Sequence, residues 1–218
     1  MKIIKTITII TSFILLISCS NEQNIVKSHG IYMLLDTSGT YTKELKQAQR
    51  VISFSLLKMK PGDSFAVARV DTGSFSEKDI ISKVTFEDRP SHMNQQKRNF
   101  LESIDKFVKT VKGSAYTDIT GGILQGMEYL NEREPGKKTI LIFSDLKEEL
   151  RKGYKRDIDF QLQGYRVIAL NVTKLRSDNI DPKEYLDRLA HWRKRVESAG
   201  GEWKVINDLE RLEKLFQN

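Results

Sequence analysis

The chain has 218 residues, 39% hydrophobic and 30% charged, which is ordinary for a globular protein and leaves room for one α/β-sized domain. The formal net charge is +7, but the excess Lys and Arg are scattered without aromatic interleaving or a nucleic-acid-binding motif, which excludes nucleic acid as the expected partner. The single cysteine excludes an internal disulfide, so stability must come from the core or from a bound ion.

Residues 1–18 have the organisation of a secretory signal peptide. Lys2 and Lys5 precede an apolar run at 7–17, which is too short to cross a bilayer because a spanning helix needs about 20 apolar residues. The run ends in Leu16-Ile17-Ser18-Cys19, which resembles the lipobox of bacterial lipoproteins. That resemblance implies cleavage before Cys19 and acylation of its thiol. A plain signal peptide with a chance cysteine, or an uncleaved anchor, is the alternative.

A lipid on Cys19 would hold the protein at a bacterial cell envelope, since each buried CH₂ of an acyl chain such as palmitate contributes about 0.8 kcal/mol. Ser20 after the cysteine favours the outer over the inner membrane if the cell is Gram-negative. Residues 19–29 then form a short polar tether, and residues 30–218 form the predicted domain.

From Gly30 onward, short apolar runs alternate with amphipathic stretches. The pattern predicts, in chain order, a strand at 31–35, a helix at 43–58, strands at 65–70 and 80–86, helices at 98–112 and 119–131, strands at 139–143 and 165–170, a helix at 181–199, a strand at 203–206 and a helix at 209–216. The strand at 80–86 follows a short connection and is therefore predicted to be antiparallel. Strands separated by helices predict an α/β, doubly wound, mostly parallel sheet with helices on both faces and one antiparallel edge strand.

Oxygen-bearing side chains follow the predicted strands at the carboxyl edge of the sheet, where open α/β sheets bind ligands. Asp36, Ser38 and Thr40 follow the first strand, and Asp145 follows the strand at 139–143. Thr117 lies in a loop between two predicted helices. Hydroxyl and carboxylate oxygens suit a hard divalent cation, and Mg²⁺ in particular takes a few protein oxygens and keeps water in its other positions.

Each of these segments also has a simpler interpretation. Asp36 to Thr40 could be a turn that caps the following helix, because Asp, Ser and Thr are good caps. Thr117-Asp118 could likewise cap the helix beginning near Ile119, and Asp145 could be an ordinary loop residue. The occurrence of all three segments in one chain favours a metal site.

The pattern Asp36-x-Ser38-x-Thr40, followed by Thr117 and then Asp145, resembles the metal-ion-dependent adhesion site of von Willebrand factor A domains. The resemblance covers about residues 30–216. It implies that Ser38 and Thr40 ligate Mg²⁺ or Mn²⁺ directly, that Asp36 acts through a water, and that Thr117 and Asp145 complete the site directly or through water. Thr40 replaces the second serine of the family pattern. Leu146 replaces the glycine that usually follows the last aspartate, which makes Asp145 the least secure ligand.

The resemblance implies a function in protein binding rather than catalysis. A partner carboxylate, from Asp or Glu, would displace water from the open position of the cation, and Tyr41, Tyr116 and Lys147 would add specificity. A magnesium-dependent hydrolase or phosphatase is an alternative, although no phosphate loop or nucleophile motif is present and the three histidines are far apart in sequence. A scaffold subunit whose metal is purely structural is the other alternative.

Overall fold

The computed structural model describes residues 28–39, 41–71 and 76–216. The predicted signal peptide, Cys19, most of the tether and the predicted ligand Thr40 lie outside the described residues. Among the residues that are described, no helix is both long enough and apolar enough to cross a membrane.

Six strands form one sheet at the centre of the domain. They are β1 (His29–Asp36), β2 (Ser64–Val70), β3 (Ile80–Thr85), β4 (Lys137–Phe143), β5 (Tyr165–Leu170) and β6 (Glu202–Ile206). Their order in the sheet is β3-β2-β1-β4-β5-β6, and every pair is parallel except β2 and β3. The predicted α/β class and the single antiparallel edge strand are therefore confirmed. Strand β1 begins one residue before the predicted start of the domain.

In the part of the chain that the structure describes, four helices cover the two faces of this sheet, as predicted. They are α1 (Leu45–Lys58), α2 (Pro90–Thr110), α3 (Ile119–Arg133) and α4 (Pro182–Ser198). The order of the strands reverses between β1 and β4, because β1 connects to β2 on one side and the chain later returns to β4 on the other. In sheets of this kind the crevice at such a reversal, at the carboxyl ends of the strands, is the usual ligand site.

Two hydrophobic cores share the central strand. Ile31, Met33 and Leu35 of β1 point into the first core, which α1 and α2 cover, while Tyr32 and Leu34 point into the second core, which α3 and α4 cover. Successive side chains of a strand point to opposite faces, so a strand buried on both faces must be apolar throughout. The continuous apolar run of β1 is explained by this double burial.

Helix α3 packs unusually close to β1 because two of its positions are glycine. A Cβ added at Gly122 would lie 2.8 Å from a side-chain carbon of Leu34, and one added at Gly126 would lie 2.8 Å from the ring of Tyr32. Either contact is closer than real Cβ atoms show. This approach brings the start of α3, and the loop before it, over the carboxyl end of β1.

Two helix predictions differ from the structure. Helix α2 begins at Pro90 rather than near residue 98. The sequence pattern missed its first two turns because they are mostly exposed and bury only Met93, so they lack an apolar stripe. The predicted helix at 209–216 is wrong, since only a 3-10 turn, Leu212–Leu215, forms there. Leu209, Leu212 and Leu215 recur every three residues, which is the 3-10 rather than the α period.

Candidate functional site

Asp36 is the last residue of β1 and lies at the reversal of strand order. Its Oδ1 accepts a hydrogen bond from the backbone N–H of Ser38 at 2.8 Å, and its Oδ2 accepts one from the hydroxyl of Ser144 at 2.6 Å. The side chain is 1% exposed. Burial raises the pKa of Asp36, and the hydrogen bonds from Ser144 and Ser38 offset part of that rise.

Asp145 follows the carboxyl end of the neighbouring strand, β4, and is also buried. Its Oδ1 accepts a hydrogen bond from the backbone N–H of Lys147 at 2.8 Å, whereas nothing in residues 28–39, 41–71 and 76–216 donates to Oδ2. Burial raises the pKa of Asp145 to about 6; the backbone bond from Lys147 lowers it in part, and the Asp36 carboxylate raises it further. The structure thus places two buried carboxylates at the carboxyl ends of neighbouring strands and leaves one oxygen of Asp145 without a donor among the described residues.

Backbone hydrogen bonds hold the other predicted loops against these two residues. Ser38 forms a bridge with Ser114: the Ser114 N–H donates to Thr37 O at 2.7 Å, and the Gly39 N–H donates to Ser114 O at 3.1 Å. Thr117 exchanges two backbone hydrogen bonds with Glu149, of 2.8 and 2.9 Å. The loops after β1, before α3 and after β4 therefore form one surface, on which Asp36, Ser38, Thr117 and Asp145 lie.

The carboxylate beside Thr117 has a structural role. Asp118 caps α3 by accepting from the N–H of Gly121 at 2.7 Å, and its other oxygen forms an ion pair with Arg156 at 2.8 Å. The capping interpretation therefore holds for Asp118, as N-terminal helix N–H groups need such acceptors. The side-chain oxygen of Thr117 is then the group that this loop can offer to the predicted site.

Leu146 adopts a backbone conformation that favours glycine, with a φ of +65°. Its side chain is buried in the second core, and its carbonyl accepts a hydrogen bond from Trp192 Nε1 at 3.0 Å. The left-handed turn and the Trp192 bond together set the direction in which the chain leaves Asp145. The departure from the resembled pattern at this position is thus one of residue type, and the turn that glycine would favour is present.

Two features of the site were not predicted from sequence. The hydroxyl of Ser144 donates to Asp36 Oδ2 and accepts from the N–H of Leu146 at 3.0 Å, so it ties the end of β1 to the loop after β4. Arg188, on α4, donates to the carbonyl of Asp145 at 3.3 Å and binds Asp178 through both terminal nitrogens, at 2.8 and 2.7 Å. No local pattern marks this pair, because the residues meet only through the packing of α4 against the loop after β5.

Tyr41 is not available for partner recognition, contrary to the expectation. Its ring is 2% exposed and packs edge-on against Phe143, with 5.5 Å between the ring centroids. Its hydroxyl donates to the carbonyl of Asn171 at 2.6 Å. Tyr116 and Lys147, the other two residues suggested for specificity, are at the surface.

The donor set fits a hard divalent cation better than a soft one. It consists of two carboxylates and neutral hydroxyls, which are the ligands that Mg²⁺ and Mn²⁺ favour. In the described ranges, no group of three or more His, Cys, Asp or Glu side chains is placed to hold a metal ion, so a cation here would depend on hydroxyl oxygens and water. Two adjacent buried carboxylates are costly when both are ionised, and a cation between them relieves that cost.

Comparisons with known proteins identify the fold. No model of a protein family and no curated protein sequence matches this chain. Among solved structures, a von Willebrand factor type A protein from Catenulispora acidiphila superposes with a TM-score of 0.50 over 87% of this chain at 14% identity. The pilus adhesin SpaC from Lactobacillus rhamnosus GG, in its open conformation, gives 0.54 over 88% at 12% identity. This chain spans only 41% and 29% of those two chains. The domain has the fold of a von Willebrand factor type A domain.

Proposed function

We propose that this domain binds Mg²⁺ or Mn²⁺ at the carboxyl ends of β1 and β4 and, through the cation, an Asp or Glu side chain of a partner protein. Asp36, Ser38, Thr40, Thr117 and Asp145 are the residues that would hold the cation. The bound cation would supply positive charge and an open coordination position for the partner's carboxylate. The protein would act as an adhesion or envelope-assembly module rather than as an enzyme.

The observation that carries this proposal is the placement of Asp145. Its carboxylate is buried beside that of Asp36, and one of its oxygens lacks a donor among the described residues. A largely buried carboxylate beside a second carboxylate is costly in its ionised form unless a cation is near it. A purely structural loop carboxylate is normally satisfied by donors, as Asp118 is.

Asp36 would have a different part in the site. Both of its oxygens already accept hydrogen bonds, from Ser38 N and Ser144 Oγ, which fits an acceptor that orients a cation-bound water rather than a direct ligand. The hydroxyls of Ser38 and Thr117 would contribute without adding negative charge. A cation held largely by neutral oxygens keeps more of its charge for a partner carboxylate.

The similarity to SpaC also supports an adhesive role, because that protein is described as a pilus adhesin and shares this fold at a TM-score of 0.54. Fold alone does not carry function, so the proposal depends on the site residues.

Titration of the purified full chain in detergent with Mn²⁺ and Mg²⁺ tests the site directly. We expect saturable one-to-one binding by calorimetry, together with a rise in melting temperature. Asp36→Asn should lose both effects. Asp63→Asn is the matched control, because Asp63 is also a buried aspartate but lies before β2, at the opposite edge of the sheet. Equal binding by wild type and Asp36→Asn would refute the site.

Partner binding is tested separately from metal binding. Capture of an acidic partner should be lost in EDTA and restored by Mn²⁺, and Asp36→Asn should not recover it. Capture that persists unchanged in EDTA would overturn the metal-mediated mechanism. A magnesium-dependent release of phosphate from a simple phosphoester would instead favour the hydrolase alternative.

We also propose that the protein is anchored in a bacterial cell envelope by a lipid on Cys19, in the outer membrane if the cell is Gram-negative. This rests on the lipobox-like residues 16–19. Cys19→Ser should abolish metabolic labelling with palmitate and move the protein out of the membrane fraction. Retention in membranes without labelling would indicate an uncleaved anchor instead.

A further inference from the structure

The serine that follows β4 contacts the carboxylate at the end of β1. Ser144 comes directly after the last residue of β4 and is fully buried. Its hydroxyl donates to Asp36 Oδ2 at 2.6 Å and accepts from the N–H of Leu146 at 3.0 Å. A serine hydroxyl has one hydrogen to donate, and here that hydrogen is given to Asp36.

Asp36 is therefore held through both of its carboxylate oxygens. Its Oδ1 accepts from the N–H of Ser38 at 2.8 Å, and its Oδ2 accepts from Ser144. The donor from Ser38 belongs to the same turn as Asp36, whereas the donor from Ser144 comes from the neighbouring strand end. A rotation of the carboxylate would break at least one of these hydrogen bonds, so the two donors fix its orientation.

Burial alone does not oblige a serine of this chain to make such a contact. The hydroxyl of Ser55, on α1, is equally buried and has no hydrogen-bond partner among the described residues. Ser144 differs because its acceptor is a carboxylate oxygen. A hydrogen bond to an ionised acceptor is roughly twice as strong as one between neutral groups. The contact of Ser144 with Asp36 is therefore a specific feature of the candidate site.

The position of the Asp36 carboxylate determines how much charge a cation at this site keeps. Mg²⁺ holds its direct oxygen ligands at about 2.0–2.1 Å, and a carboxylate that contacts it through a water lies about twice as far away. Because the Coulomb energy falls with distance, the carboxylate behind a water neutralises the cation less. The charge that remains is the charge that attracts the carboxylate of a partner.

We propose that Ser144 is a positioning residue, whose hydroxyl keeps the Asp36 carboxylate one water away from the cation and so preserves the charge with which the cation binds a partner carboxylate. This inference rests on the proposed function and adds a determinant of partner affinity. Ser144 itself contacts neither the cation nor the partner. Without its hydroxyl, Asp36 Oδ2 is free to bind the cation directly, which displaces a water and weakens the attraction for a partner.

Water-proton relaxation of the Mn²⁺-loaded full chain in detergent tests this inference, because it counts the waters that exchange from the bound ion. Ser144→Ala should bind Mn²⁺ at least as tightly as the wild type, but with about one water fewer on the ion. Acetate is the probe for a partner carboxylate. It should bind the Mn²⁺-loaded variant more weakly than the Mn²⁺-loaded wild type, by a factor on the order of ten.

Two further variants separate positioning from a merely structural role. Ser144→Thr keeps the hydroxyl and should match the wild type in its number of waters and its affinity for acetate. Ser55→Ala removes a hydroxyl that is equally buried but has no partner among the described residues, and it should also match the wild type. Melting in EDTA shows which variants are folded. If Ser144→Ala is not folded, Ser144→Cys takes its place, because a thiol is a weak donor.

The outcomes distinguish this inference from the proposed function. If Ser144→Ala is folded but binds Mn²⁺ more weakly than the wild type, the Ser144 inference is wrong and the proposed function stands. The same conclusion follows if the number of waters and the acetate affinity are unchanged. If the wild type itself does not bind Mn²⁺, the proposed function fails and the Ser144 inference fails with it.

Discussion

Asp145 is a buried acid whose pKa, about 6, lies above that of an aspartate in an unfolded chain. Between pH 4 and 6 the folded protein therefore holds a proton that the unfolded chain has lost, so stability should fall as the pH rises through this window. In EDTA, the free energy of unfolding of the wild type should fall by roughly 2–3 kcal/mol over this window, and Asp145→Asn should not show this fall. Urea denaturation of both proteins at pH 4, 5, 6 and 7 measures the free energy of unfolding. The same pH dependence in both proteins would contradict the assignment.

Leu146 combines a left-handed backbone with a buried side chain, and two substitutions separate these effects. Leu146→Ala should cost about 2–5 kcal/mol through the cavity it leaves. Leu146→Gly removes one carbon more but also removes the left-handed strain, about 1 kcal/mol, so it should be at least as stable as the alanine variant.

Leu130, buried within α3, is the control for that comparison. There the glycine variant should be less stable than the alanine variant by about 1 kcal/mol, because glycine disfavours helix. Thermal melting of the four variants suffices. The same order at both positions would show that the backbone of Leu146 is not strained.

At the scale of residues, the positions of the candidate site's carboxylates were predictable because each carboxylate directly follows a strand. Asp36 and Asp145 each come at or just after the end of an apolar run, and parallel strands bring their carboxyl ends to one edge. The bond between Ser144 and Asp36 joins residues 108 positions apart, and the burial of Tyr41 depends on Asn171, 130 positions away. Such contacts depend on how loops pack, which a local pattern does not contain.

At the scale of elements, the sequence was most informative where burial imposes a period. All six strands and the helices α1, α3 and α4 lie close to their predicted bounds, because the inner strands are short apolar runs and the helices carry an apolar stripe. The first turns of α2 carry no stripe, although Pro90 at its first position is a typical start signal. The α-helix predicted at 209–216 is wrong because apolar residues three or four positions apart occur in both α-helices and 3-10 helices.

Helix α4 is joined to the loop after β5 by a buried ion pair between Arg188 and Asp178. The side chains of Arg188 and Asp178 are 15% and 0% exposed. Arg188→Met should cost about 3–5 kcal/mol, since it leaves the Asp178 charge buried without its partner. Adding Asp178→Asn should recover part of that loss. Urea unfolding of the two variants tests this, and a double variant less stable than Arg188→Met alone would contradict it.

At the scale of the whole molecule, the two cores should unfold together because β1 contributes to both. Met33 faces the first core and Leu34 the second, and both are fully buried. Met33→Ala and Leu34→Ala should each lower one common melting temperature, on the order of 5–15 °C for a chain of this size.

Both tryptophans, Trp192 and Trp203, belong to or pack on the second core, so their fluorescence reports on that side. Met33→Ala nevertheless should shift the fluorescence and circular dichroism transitions equally. A fluorescence transition unaffected by Met33→Ala would mean that the cores melt independently.

The chain enters β1 at His29, and the candidate site lies at the other end of the same strand, about 25 Å away at 3.3 Å per residue. Tension between the preceding chain and a partner bound at the site would therefore run along β1. That strand has seven paired positions with β2 and seven with β4. Pulled lengthwise, these bonds are loaded in shear and must break together rather than one after another. If the chain is anchored ahead of β1 as proposed, the anchor and the candidate site would lie at the two ends of a strand that is paired along both edges and so resists a mechanical load.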